Sequence, residues 1–306
     1  MTPICPACQG PADDAYRTYD YNQRLSQEDF NYYLCQQCGL VFLDPVPENL
    51  GQYYPQTYYA IPNSLSDLAR EATSKRYQID LVRRFVKGGR LLDIGPGHGA
   101  FAFLANEAGF DVSTIEMDAI CCQFLREEIG VSAIQSDNPA EVLPHLEPQN
   151  AITLWHVIEH LPDPWTTLAR AVQQLAPGGI LLIAAPNPQA LQFRLFRSRW
   201  VHLDAPRHVR LLPVQLLVRR LVNEGLRPVL VTTGDPGGRA LNRYGWRASM
   251  INLSEQRLPR AAGWRLGWPL GLLAAPLEQS GLRGSAYTAI FRKPEVSVTR
   301  HTEPTR

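Results

Sequence analysis

Six cysteines are present, and four stand in two close pairs, Cys5-Pro6-Ala7-Cys8 and Cys35-Gln36-Gln37-Cys38. Two such pairs supply four thiolates, the number and type of donor that a tetrahedral Zn²⁺ takes. A glycine follows each pair, Gly10 and Gly39, and glycine reaches the backbone angles that a tight knuckle needs. Cys5, Cys8, Cys35 and Cys38 are therefore the candidate ligands of one structural zinc, with free thiols or a redox pair as alternatives. Cys121 and Cys122 fall in a helix-like stretch and read as small core residues.

A second group surrounds a glycine turn. Arg90-Leu91-Leu92-Asp93-Ile94-Gly95-Pro96-Gly97-His98-Gly99 joins a short apolar strand to a helix-like run from Ala100 to Ala108. A strand, a glycine turn and a helix start bring backbone N–H groups up to a ligand. The glycines alternate with single residues and an acid precedes them, unlike the dinucleotide fingerprint. Asp111 to Glu116 reads as the next strand, and an acid at its end can accept both hydroxyls of a ribose. Val131 to Gln135 is a third strand, followed by Asp137, where an acid can sit beside an adenine amino group. A fourth strand begins at Ala151 and runs through Trp155 into His156-Val157-Ile158-Glu159-His160. A fifth, Ile180 to Ala185, ends at Pro186-Asn187.

The segments LLDIGPGHG, STIEMD, SDNPAEVLP, LWHVIEHLPDP and LAPGGILLIAAPN come in that order within residues 75–293. Together they resemble the class I S-adenosylmethionine-dependent methyltransferases. The resemblance implies an α/β, Rossmann-like sheet of seven strands with one antiparallel edge strand, and S-adenosyl-L-methionine across the carboxyl ends of the first strands. It implies Asp93, Gly95, Gly97 and Gly99 along the methionine and ribose, and Glu116 on the ribose hydroxyls. Met117 and Asp137 would flank the adenine, and Trp155 or His156 would face the sulfonium. The four-cysteine front end, then Tyr53, Tyr54, Tyr58 and Tyr59, then a methyltransferase domain, resembles a bacterial subgroup acting on sugars, lipids and secondary metabolites.

Methyl transfer from a sulfonium is an in-line displacement, so the protein mainly aligns donor and acceptor. An oxygen acceptor also needs a base near neutral pH, which favours histidine. His145 and His301 lie in a loop and the tail, and His98 sits in the glycine turn beside the cofactor. Of His156, His160, His202 and His208, the last two positions expected at the cleft mouth are His160 and His208. His208 ranks first, because the turn Ala205-Pro206-Arg207-His208 is a poor place for a core histidine. Glu159 and His160 could instead bind a divalent metal. Residues 188–212 read as an insertion over the site, with Trp200, His202 and Arg207 as candidate substrate contacts. Arginines 194, 197, 199, 207 and 210 in that segment point to an anionic acceptor, since their forks grip phosphate or carboxylate.

These residues need a scaffold. A zinc ribbon is expected over 1–47, a connecting helical segment over 48–87 and the methyltransferase domain over 88–293. Residues 226–234 and 287–293 supply its last strands. A second insertion, 235–280, reads as a helix covering the sheet, with residues 261–277 as a possible amphipathic contact with a membrane. Residues 294–306 read as a disordered tail.

The chain of 306 residues suits about two domains. Hydrophobic residues make up 45% and charged residues 19%, which excludes a disordered or fibrous chain. The net charge of +1 exerts no global pull toward nucleic acid. No uninterrupted apolar run of about 18 residues exists, so no membrane span is expected. The N-terminus lacks the basic and apolar regions of a secretory signal, and the expected compartment is a reducing cytoplasm. The reading is a methyltransferase acting on a small-molecule acceptor. One rival is an RNA methyltransferase, against which the ribbon carries Arg17 and Arg24 beside six acids, Asp13, Asp14, Asp20, Glu28, Asp29 and Asp44. The other is a non-catalytic cofactor-binding scaffold that uses the ribbon to hold a partner.

Overall fold

A computed structural model describes residues 3–55, 58, 60–254 and 260–295. The chain opens with three antiparallel strands, β1 (Ala12–Thr18), β2 (Phe30–Cys35) and β3 (Val41–Leu43). Two helices, α1 (Leu65–Ala72) and α2 (Arg76–Phe85), lead into strand β4 (Gly89–Ile94). Helix and strand then alternate: α3 (Ala100–Glu107), β5 (Phe110–Glu116), α4 (Ala119–Phe124), β6 (Ser132–Gln135) and α5 (Pro139–Val142). β7 (Gln149–Trp155), α6 (Pro164–Gln174) and β8 (Leu175–Pro186) complete the parallel part. The last third holds α7 (Leu191–Phe196), β9 (Arg210–Leu211), α8 (Val214–Asn223), β10 (Arg227–Thr232), α9 (Pro236–Ser254), α10 (Arg260–Gln279) and β11 (Ala286–Arg292).

Seven strands form one sheet in the order β10-β11-β8-β7-β4-β5-β6. β6, β5, β4, β7 and β8 run parallel, and β11 is antiparallel to both of its neighbours. The antiparallel strand is thus one in from the edge, which corrects the expected edge position. The central strands are apolar runs because helices cover both of their faces. Leu91, Leu92, Ile152, Leu154, Leu181, Leu182 and Ile183 are fully buried there. Side chains fix where helices start: Ser64, Asp118 and Asp163 each accept a backbone N–H from the first turn that follows.

The front module does not stop at its own sequence boundary near residue 47. Its strands form a second sheet in the order β1-β2-β3-β9, whose last strand comes from the expected 188–212 insertion. Leu40 and Phe42 share a core with Leu212, Leu216 and Leu217. The 235–280 segment is a hairpin of two helices, α9 and α10. Cys121 and Cys122 are buried, as small core residues are. Tyr59 and the tail from residue 296 onward lie outside the described residues.

Candidate active site

The carboxyl ends of β4, β5 and β7 open into a cavity of about 630 Å³. The glycine turn after β4 forms one wall. Gly95 has φ +68°, and a Cβ there would meet Val157 at 2.5 Å, so only glycine lets the turn pass. Gly97 donates its N–H to Glu116 Oε2 at 2.9 Å, and Asp118 donates to Oε1 at 2.9 Å. Glu116 therefore ties the turn to the end of β5, and each oxygen keeps a lone pair for a further donor. Met117, Ser136 and Asp137 continue this wall. Gly99 faces away from the cavity, since a Cβ there would strike Leu125 and Ile129 at 2.6 Å. Its role is to let α3 pack against the turn following α4.

A neighbouring cavity of about 360 Å³ is lined by Asp93, Lys75, Tyr77 and Gln78. Lys75, Gly95, Pro96, Trp155 and His156 border both cavities. Asp93 is 1% exposed. Thr153 Oγ1 donates to its Oδ1 at 2.7 Å, and its Oδ2 has no partner among the described residues. Burial, opposed by Thr153 and reinforced by the Glu116 charge, pushes its pKa up to about 7. Trp155 Nε1 is also buried without a partner among the described residues. An orphaned acid and an orphaned indole N–H on adjoining walls mark a place for a polar ligand.

Beyond β7, four side chains converge. Glu159 is 1% exposed, and neither carboxylate oxygen has a hydrogen-bond partner among the described residues. His156 Nδ1 lies 3.7 Å from Glu159 Oε1, and His208 Nε2 lies 3.9 Å from it. His160 and His208 stand edge to face with centroids 4.7 Å apart. Burial raises the Glu159 pKa, but His156, His208 and His160 outweigh it and leave the carboxyl below its ordinary value. His156 takes a left-handed φ of +59°, a strained setting for a residue with a side chain. Ligand atoms of Glu159, His160 and His208 lie within 4.8 Å of one another, close enough for one divalent cation to bridge.

His160 lines the larger cavity; His208 lines neither cavity. His160 Nδ1 is 3.1 Å from the Arg207 carbonyl and 2.8 Å from Tyr54 Oη. A carbonyl only accepts, so the tautomer that bonds the Arg207 carbonyl carries its proton on Nδ1 and leaves the Nε2 lone pair free. His208 Nδ1 likewise faces the His202 carbonyl at 2.9 Å, which turns its Nε2 toward Glu159 and Asp204. Tyr54 and Tyr58 come from the segment after β3 and close the cavity from above. The tyrosine-rich stretch was the sequence signal for them.

Three expected substrate contacts are corrected. Trp200 is 2% exposed and packs on Phe193 with centroids 4.8 Å apart. His202 faces inward, with Nε2 3.2 Å from the Leu241 carbonyl. The Arg207 side chain has no exposure and grips Asp20 at 2.6 Å and Asp204 at 2.7 Å. It also donates to the Tyr53 carbonyl at 3.1 Å. The front module and α9 cover the insertion, so polar residues that read as a substrate face became its interior. Removing one partner of such a buried network leaves uncompensated charge, so Arg207→Ala should destabilise folding by about 3–5 kcal/mol. Arg207→Lys should recover only part of this, because ammonium cannot fork to two carboxylates. Urea unfolding checks both, and equal stability of all three chains would refute the tie.

The four paired cysteines meet as the sequence reading expects. Cys5 and Cys38 Sγ are 3.6 Å apart, and Cys8 and Cys35 Sγ are 3.4 Å apart. All four sulfurs lie within 4.8 Å of one another. A tetrahedron with Zn–S near 2.3 Å has S···S edges of about 3.8 Å, so the cage fits that ion. Burial raises the Cys35 thiol pKa, but N–H groups of Cys38 and Gln37 and the Cys8 thiol bring it down to about 7.

The sheet order with its inset antiparallel strand, the glycine turn and the acid closing β5 define a class I S-adenosylmethionine-dependent methyltransferase. Residues 68–231 match the methyltransferase-domain family, Methyltransf_23, and the chain belongs to it. It is 26% identical over 119 residues to a ubiquinone biosynthesis O-methyltransferase of Saccharophagus degradans, covering 37% of this chain and 50% of that protein. The corresponding protein of Pseudomonas fluorescens is 27% identical over 127 residues, covering 39% and 55%. The chain spans about half the length of these curated relatives. A methyltransferase from Archaeoglobus fulgidus superposes with a TM-score of 0.50 at 20% identity, over 73% of this chain and 94% of that one. That likeness shows the fold.

Proposed function

We propose that the chain moves the methyl group of S-adenosyl-L-methionine to an oxygen of a small-molecule acceptor. The carrying observation is one cavity with the glycine turn, Glu116 and Asp137 at one end and Trp155, His156 and His160 at the other. In this reading Glu116 holds the ribose hydroxyls, Met117 and Asp137 flank the adenine, and Asp93 faces the methionine end. The sulfonium–methyl bond breaks as the oxygen–methyl bond forms. The acceptor's proton passes to His160 Nε2, and Glu159 and His208 hold that ring in place. The O-methyltransferase activity of the ubiquinone relatives supports an oxygen acceptor. Cys5, Cys8, Cys35 and Cys38 hold a structural Zn²⁺ that shapes the front module.

The test is incubation with methyl-labelled cofactor and a panel of phenols and sugar or lipid hydroxyls, followed by mass spectrometry. Label on oxygen is the expected result. Label only on carbon or nitrogen, or cofactor binding without turnover, would overturn the oxygen reading. A second reading is favoured by the orphaned Glu159 carboxylate: a divalent cation held by Glu159, His160 and His208. Magnesium titration of chelator-washed protein, with zinc content followed in parallel, separates the two.

Asp93 adds a pH dependence. The cofactor's methionine end is cationic, so it binds best to ionised Asp93. Protonated below about pH 7, this acid should make affinity rise with pH up to about 7, at most about tenfold per unit, and level off above it. Asp93→Asn should bind more weakly and flatten the profile. Calorimetry at several pH values reads both, and a wild-type profile that is flat would remove Asp93 from the site.

A further inference from the structure

Helix α10 is built the wrong way round for a helix that only covers a sheet. Apart from Glu278, its buried positions are small, Gly263, Gly267, Gly271 and Ala274, and Gly267 and Gly271 lie against Trp246 and Arg247 of α9. A Cβ on Gly267 would come within 2.6 Å of the Arg247 backbone, so the two helices touch backbone to backbone. The large apolar side chains point outward instead. Trp264 is 40% exposed, Leu266 47%, Trp268 56%, Leu272 52%, Leu273 76% and Leu277 54%. Small residues between helices with large apolar groups outside is the packing used where the surroundings are lipid.

Among the described residues, the exposed charge on this hairpin has one sign. Arg239, Arg243, Arg265 and Arg283 are exposed, and the Arg247 guanidinium lies 4.6 Å over the Trp264 ring. Among the described residues of 236–283 the one acid is Glu278. It is 1% exposed and accepts from Gln192 at 2.7 Å and Trp246 at 2.9 Å. No helix of the described residues is long and apolar enough to cross a membrane. An apolar face with interleaved arginines and, among the described residues, no exposed acid matches an anionic surface with an apolar interior. We infer that the α9–α10 hairpin is a docking surface for an anionic lipid bilayer, lying in the interface and not spanning it.

The full chain is mixed with vesicles of phosphatidylcholine alone, or of phosphatidylcholine with about a third phosphatidylglycerol, and floated on a gradient. Binding to the anionic vesicles, weakened by salt, is expected. Trp268→Ser with Leu273→Ser should lower it about tenfold or more, since two anchors leave the apolar layer. Arg243→Ala with Arg265→Ala should lower it by about thirtyfold, and only on anionic vesicles. Unchanged circular dichroism and cofactor affinity show that the variants are folded. Absence of binding, equal binding to both vesicle types, or variants that bind like the parent would overturn the inference. So would sedimentation in which the apolar variants turn a dimer into a monomer, which would assign the face to a second copy.

Discussion

Cys35→Ser is expected to strip the zinc and to cost acceptor-side activity while sparing the cofactor. A structural zinc site contributes on the order of 10–16 kcal/mol of apparent binding energy to the fold it closes, so three thiolates should not hold the module. The consequence reaches the active site because the module is bonded to it. Tyr32 on β2 donates its hydroxyl to the His208 carbonyl at 2.8 Å. β3 pairs with β9 two residues beyond His208. Asp20 grips Arg207, whose carbonyl orients His160. Glu116 and the glycine turn sit at the ends of β5 and β4, in the seven-stranded sheet, and no strand of the module pairs with either. Zinc content should therefore fall below one ion per chain and kcat should fall with it, while calorimetric affinity for S-adenosylmethionine holds. Full metal retention would remove the four-thiolate site. Metal loss with unchanged kcat would show that the module is not coupled to the histidines.

The parallel half of the sheet was legible because each strand carries its marker within a few residues. β4 ends at the glycine turn, β5 at Glu116 and β7 at Trp155-His156, so apolar run and ligand wall are read together. Each of these relations is local, and local patterns survive without knowledge of the fold. The cysteine cage was legible for the same reason, since each pair is a local knuckle. The Arg207 network was not. Its partner Asp20 stands 187 positions away, and nothing in Ala205-Pro206-Arg207-His208 signals that a distant strand covers it. The β3–β9 pairing hides likewise, because a two-residue strand leaves no alternation to detect. Glu159 was half legible: its relation to His156 is three residues along the chain, whereas His208 arrives from the far side of β8.

That difference in reach decides which histidine should matter most. His160→Ala is expected to lower kcat for an oxygen acceptor by about 10²–10⁴, the usual share of a positioned base, with cofactor affinity unchanged. His208→Ala should cost less, because its Nε2 faces Glu159 and Asp204 and it acts by holding His160. The pH profile separates a base from a merely structural ring. Burial, and then the neighbouring His208, bring the His160 pKa down to about 4, against the pull of Glu159 and Asp204. A base must be deprotonated to work, so activity is present above its pKa and lost below it. With cofactor saturating, so that Asp93 no longer limits binding, acceptor turnover should stay level from about pH 8 down to about 5 and fall only beneath that. An unperturbed histidine would begin to fail near pH 6.5. His208→Ala removes the neighbouring charge, so the acid limb should move up toward that ordinary value while some activity remains. If His156→Ala proves far more damaging than His160→Ala, the proton goes to the strained imidazole at the end of β7 instead.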